Sequence, residues 1–138
     1  MKIDLPPDYQ PSEQEEFMNP LQVEYFRQTL LEWRDQLIGD AESTRQALQS
    51  DSLAQPDWTD RASMETDRAL ELRTRDRARK LIVKINEALM RVEDGSYGFC
   101  EETAQPIGIK RLMARPIATL SIEAQERHER MERSHRDE

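Results

Sequence analysis

The sequence predicts a mostly α fold: a long antiparallel coiled-coil hairpin on a small globular module that closes with a C-terminal helix. Two apolar seams with spacings of three and four, parted by one proline-bearing break, predict the hairpin. Gly, Pro and turn residues gathered between positions 95 and 116, without helical period, predict the module. Composition points the same way. Charged residues make up 35% and the hydrophobic set 36% of 138 residues, which suits long helices that expose most of their circumference rather than one large core.

The expected order is an extended segment at 1–19, the hairpin at 20–94 with its tip near 51–62, and the module with its helix at 95–138. Pro6, Pro7 and Pro11 keep the first segment extended, leaning on the body of the protein. Asn19 and Pro20 make a helix start, because Asn is a good N-cap and Pro is tolerated at the first helical position. Val23, Phe26, Leu30, Trp33 and Leu37 then form the first seam, which weakens past Gly39 to Asp40, Thr44 and Ala47. The first helix is expected over 20–50, and the second from about Asp60 to Asp94. The second seam, Ala78, Leu81, Ile85, Ala88 and Val92, lies at the end away from the break. Only antiparallel pairing within one chain brings the two seams together, so a monomer is expected. About thirty residues per helix give a rod of roughly 45 Å.

The break itself, Pro56-Asp57-Trp58-Thr59-Asp60-Arg61-Ala62, puts two carboxylates and a tryptophan at the tip of that rod. The simplest use of Asp60 is to cap the second helix. The other is a probe: Asp57, Asp60 and Ala62 carried deep into a cavity of something larger. A formal net charge of −8 disfavours holding nucleic acid by phosphate neutralisation and excludes sequence-specific DNA binding as the first expectation. It favours a basic protein surface. No stretch has the length of a membrane span and no signal-peptide pattern opens the chain, so a cytoplasmic protein is expected. One cysteine, Cys100, rules out an internal disulfide.

Arg73 to Lys80 is locally basic, but alternate residues on a helix point apart, so a solvated face with Glu71–Arg75 and Asp76–Lys80 pairs is expected. Lys84 stands one turn further on. Gly95-Ser96-Tyr97-Gly98 ends the rod. A core of Phe99, Ile107, Ile109, Leu112, Ile117, Leu120 and Ile122 is expected in the module. The last helix starts at Ser121 and carries Glu126–Arg130, Glu129–Arg133 and Glu132–Arg136 at pairing distance, with His128 and His135 as surface residues.

These segments, in this order, resemble the DksA family of bacterial RNA polymerase regulators. Asp57-Trp58-Thr59-Asp60-Arg61-Ala62 matches the family's tip pattern D-x-x-D-x-A. Leu70 to Ile82 resembles its second arm, and Gly98-Phe99-Cys100-Glu101 with Ile107 to Pro116 resembles its module. The departure is the zinc finger. Where the family has C-x2-C-x17-C-x2-C, this chain has Cys100, Thr103, Ser121 and Ala124. One thiolate, two hydroxyls and a methyl do not make a tetrahedral zinc site, so a degenerate, metal-free finger is expected.

The resemblance implies a transcription regulator, not an enzyme. It would enter the polymerase secondary channel and, with ppGpp as effector, change the lifetime of promoter complexes. It also implies a ppGpp site shared with polymerase, at Lys84 and Arg115 with Arg77, Leu81 and Arg111 nearby. Gln125 stands where the family has a basic residue. Two other readings compete. A transcript-cleavage factor would hold Mg2+ on the tip acids, and RNA cleavage in stalled complexes separates it. A coiled-coil scaffold protein would leave Asp57 and Asp60 idle, and polymerase pull-down separates that one.

Overall fold

The computed structural model describes residues 3–53 and 58–136, with the side chains of 47–53, 58–61 and 136 outside that description. It holds four helices among the described residues: α1 (Pro20–Leu53), α2 (Trp58–Asp94), α3 (Ile109–Ala114) and α4 (Ile122–Arg136). The described residues contain no strand, only an isolated antiparallel bridge between Phe99 and Pro106.

α1 begins where its cap dictates. The Asn19 side-chain oxygen accepts the amides of Leu21 at 3.0 Å and Gln22 at 3.1 Å, and Pro20 takes the first helical position. α2 begins at Trp58, two residues before the expected start. Asp60 therefore lies inside the first turn rather than at the cap. α2 stops at Gly95, whose φ of +85° L-residues rarely adopt. The Arg91 carbonyl there accepts the amides of Gly95, Ser96 and Tyr97 at 3.0 to 3.2 Å.

The chain clusters into two compact units, Met1–Leu30 with Glu87–Glu138, and Leu31–Asn86. In the first, the core is Phe26, Leu30, Ala88, Tyr97, Cys100, Ile107, Ile109, Leu112, Ile117, Ala118 and Ala124. Full burial of one large apolar side chain contributes about 1.5–3 kcal/mol. Phe26 stacks at a tilt on Tyr97 with centroids 5.7 Å apart, and Phe17 meets Phe99 edge-on at 5.5 Å. Phe17 thus holds the chain just before α1 against Phe99. Gln22, fully buried, accepts the Met18 amide at 2.7 Å and donates to the Ser12 carbonyl at 3.1 Å.

Two expectations for this unit are corrected. Ile122 is 55% exposed; it opens α4, and Ala124 on the next face takes the buried place. Phe99 and Leu120 are half-buried. The stretch read as having no helical period contains α3, six residues entered through Gly108 at φ +106°. Fewer than two turns are too short to show a period.

In the second unit α1 and α2 run antiparallel, and Arg34 donates to the Asn86 side-chain oxygen at 2.8 Å. Ile85 is its one fully buried residue among those described; Trp33, Leu37, Ala41, Thr44, Ala78, Leu81 and Ile82 are half-buried. The thinning past Gly39 is as the seam predicts, with Asp40 exposed. Ala47 lies outside the described side chains.

Candidate functional site

Three groups of residues carry the expected chemistry. At the tip, Asp57 lies outside the described residues. Asp60 has its backbone in α2 and its side chain outside the description, as does Trp58. Ala62 is an exposed residue of α2.

The second group lies on α2 within residues 31–86. Arg77 and Lys84 are exposed and Leu81 is half-buried. The expected Asp76–Lys80 pair forms at 3.2 Å, and Arg79 joins it at 2.8 Å. Those two cations hold the Asp76 carboxyl below its ordinary range, Arg79 most strongly. The expected Glu71–Arg75 pair does not form; Glu71 leaves one carboxylate oxygen buried without a partner.

Sequence reasoning missed one pattern here. Arg73, Arg77, Lys80 and Lys84 follow spacings of four, three and four, so they share one face of α2 over about 16 Å. All four are exposed. The signal was present in the spacing but was hidden by Arg75 and Arg79, which point elsewhere.

The third group belongs to the other unit. Residues 98–107 fold into a knuckle: the Ile107 amide donates to the Gly98 carbonyl and the Cys100 amide to the Gln105 carbonyl, both at 2.8 Å. The Cys100 thiol is buried, 3% exposed. Burial pushes its pKa up, but the Thr103 hydroxyl and the amides of Ser121, Thr103 and Glu102 hydrogen-bond the sulfur and bring it down to about 6. The Ser121 hydroxyl accepts the Ala124 amide at 3.2 Å and so caps α4, while Ala124 is fully buried. Two of the other three degenerate finger positions, Thr103 and Ser121, therefore meet the Cys100 sulfur, and the Ala124 amide bonds to Ser121.

A zinc ion does not fit this donor set. Beside the single thiol of Cys100 stand two neutral hydroxyls, Thr103 and Ser121, and Ala124 offers a methyl where a thiolate would be needed. Arg111 donates through Nε to the Leu120 carbonyl at 3.0 Å, so part of its guanidinium tethers the chain entering α4. Arg115 is exposed at the C-cap of α3. Gln125 is half-buried and donates to Glu129 at 3.4 Å.

On α4 the expected ion pairs Glu126–Arg130 and Glu129–Arg133 do not form among the described residues. Arg136, the partner expected for Glu132, has its side chain outside them. Charges early in the helix turn instead to the knuckle: His128 Nε2 contacts Glu102, and Arg127 lies 3.8 Å from the same carboxylate. Surface i,i+4 pairs contribute only a few tenths of a kcal/mol, so exposed charges on α4 are only weakly held to that spacing.

Comparison with known proteins accounts for this arrangement. The family model described as the DnaK suppressor protein DksA, N-terminal domain, matches residues 22–92. A second, the prokaryotic dksA/traR C4-type zinc finger, matches residues 95–130. The RNA polymerase-binding transcription factor DksA of Caulobacter vibrioides is 63% identical over 131 residues, covering 95% of this chain and 92% of that protein. Its counterpart of the same name in Escherichia coli K12 is 46% identical over 115 residues, covering 83% and 76%. The solved structure of transcription factor DksA2 from Pseudomonas aeruginosa superposes with a TM-score of 0.80 at 43% identity, covering 87% of this chain and 94% of that one. A helical pair followed by a finger region with a single cysteine is thus a variation on a known plan, and this chain belongs to the DksA family.

Proposed function

We propose that this protein is a bacterial transcription regulator that binds RNA polymerase. The observation that carries the reading is the match of both family models, in order, to a chain whose relatives are named RNA polymerase-binding transcription factors. It is a binding factor and not an enzyme, and it acts as a cytoplasmic monomer without sequence-specific DNA contact. Its working parts are the segment 1–19, the hairpin 20–94 and the module with its helix, 95–138.

The hairpin enters the secondary channel, and Asp57 and Asp60 bias a mobile polymerase element by charge, with Ala62 allowing close approach. Such a shift requires different contacts with the two states of that element. ppGpp is the effector. The proposed ppGpp contacts are Lys84 and Arg115, each exposed, with Arg77, Leu81 and Arg111; a cation suits a phosphate, and the Arg fork can bind two of its oxygens. Gln125 keeps a hydrogen-bond donor without the charge, which weakens the response to ppGpp. The finger works without metal.

The test is binding to purified polymerase, followed by promoter-complex lifetime with and without ppGpp. The double replacement Asp57→Asn with Asp60→Asn should bind and fail to regulate. Lys84→Ala and Arg115→Ala should each lose the ppGpp response, and Gln125→Lys should strengthen it. Absence of polymerase binding by the unaltered protein would overturn the reading. Chelator treatment that lowered the melting temperature would overturn the metal-free finger.

A further inference from the structure

Met18 differs from the exposed methionines of this chain. Met90, Met113 and Met131 face solvent, so an oxygen added to their sulfurs would be hydrated at once. Met18 is half-buried and laid against the backbone of Gly98. A Cβ built on Gly98 would fall 2.8 Å from the Met18 sulfur, 2.9 Å from its Cγ and 3.4 Å from its Cε. The thioether thus fills the space that glycine leaves.

The seat is strained. Met18 stands at φ +54°, a left-handed conformation uncommon for a residue with a side chain. Its amide is fixed by the buried Gln22 side-chain oxygen at 2.7 Å. Such a conformation persists only while its surroundings hold it. The same side chain lines a cavity with Ile3, Val23, Val92, Glu24, Arg27 and Glu93. Arg27 there donates to Glu24 through Nε at 2.9 Å and Nη2 at 3.1 Å. Apolar carbon and carboxylates disfavour a sulfoxide oxygen, which is itself an acceptor.

We infer that Met18 is a reversible oxidation site whose sulfoxide releases residues 3–18 from the module. The reactant is a hydroperoxide, in the simplest case hydrogen peroxide. The Met18 sulfur gives an electron pair to one peroxide oxygen, the O–O bond breaks and an S–O bond forms. The departing hydroxide takes the proton of the transferred oxygen and leaves as water, so methionine is oxidised and the peroxide reduced. The product is bulkier and polar, so it loses its seat on Gly98, and the backbone relaxes from the left-handed conformation. A methionine sulfoxide reductase reverses the change by oxidising a pair of thiols to a disulfide and releasing the oxygen as water. This switch is a property of the free chain and stands apart from any identification of its partner.

The experiment treats the full chain and its Met18→Leu variant with hydrogen peroxide. Peptide masses report the oxidation of each methionine, and subtilisin cleavage before Asn19 reports release. Met18→Leu conserves volume, a swap that packed sites tolerate. Cys100 and every other methionine are common to both chains, so the difference between them belongs to Met18. In the unaltered protein Met90 and Met131 should oxidise first and leave cleavage unchanged. Conversion of Met18 should then speed cleavage before Asn19 about tenfold, and the reductase should restore the starting rate. Met18→Leu under the same treatment should change by less than about twofold. Equal acceleration in both chains overturns the inference, and so does a Met18 sulfoxide that leaves cleavage unchanged. A Met18 that stays reduced after Met90 and Met131 are fully converted overturns it as well.

Discussion

In the unit built from residues 1–30 and 87–138, Phe26, Leu30 and Leu112 lose all contact with solvent, and Tyr97 and Cys100 nearly all. In the unit 31–86, Ile85 alone among the described residues does so, while Ile38, Leu70, Leu72 and Val83 stand about half exposed. The first unit gets its cohesion from side chains that meet across distant parts of the sequence. The second gets it from helical hydrogen bonds and from a half-wet seam. The two units should answer differently to the same kind of substitution.

The sharpest contrast is an apolar truncation in each. Leu112→Ala empties a fully buried site and should cost about 2–5 kcal/mol in a urea titration. Leu72→Ala, on an exposed face of α2, should stay within about 0.5 kcal/mol. Equal losses at the two positions would erase the distinction. Gly98→Ala comes next. Gly98 sits at φ +93°, and an added Cβ would lie 2.8 Å from the Met18 sulfur. Both strain and collision predict a loss of about 1–3 kcal/mol. Met18→Ala in the same chain should recover only the collision part.

Cys100 gives a prediction in pH. Its folded pKa of about 6 lies below the ordinary 9.0. The stability it contributes is therefore fully present above about 9 and is lost as pH falls toward 6. Unfolding free energies of the unaltered protein and Cys100→Ser should diverge in favour of cysteine between pH 6 and 9, by no more than about 1.4 kcal/mol per pH unit. A constant difference across that range would show that the sulfur is not held as thiolate. The smallest effect belongs to the arms. Asp76→Asn removes both surface ion pairs and should change stability by less than about 0.5 kcal/mol, with the change shrinking further at high salt.

What could be foreseen from the amino acids divides along the same line. The helices were legible because Asn19, Pro20 and Gly95 punctuate them and because three-four spacing repeats over many turns. α3 was not, since six residues carry too little periodicity to stand out from the glycines and prolines around them. The acidity of Cys100 was invisible for another reason. It depends on amides of Glu102, Thr103 and Ser121 that only a folded knuckle aims at the sulfur. The partners of His128 and Arg127 were hidden likewise, because the competing acceptor, Glu102, lies more than twenty residues away. The four degenerate finger positions were identified by family resemblance, and the fold brings two of them, Thr103 and Ser121, to that sulfur.

Gln22 has a further consequence for how the chain could be edited. Its buried amide fastens the residues before α1 at two backbone points, Met18 and Ser12. The remaining attachments of that segment include aromatic edges and the contact at Gly98. Proteases cut ordered chain only where it can loosen from the fold, and Gln22 is one of the groups that hold this segment down, both accepting and donating. Gln22→Leu fills similar space and does neither, so its first effect should be a nick before Asn19 rather than a collapse of the module.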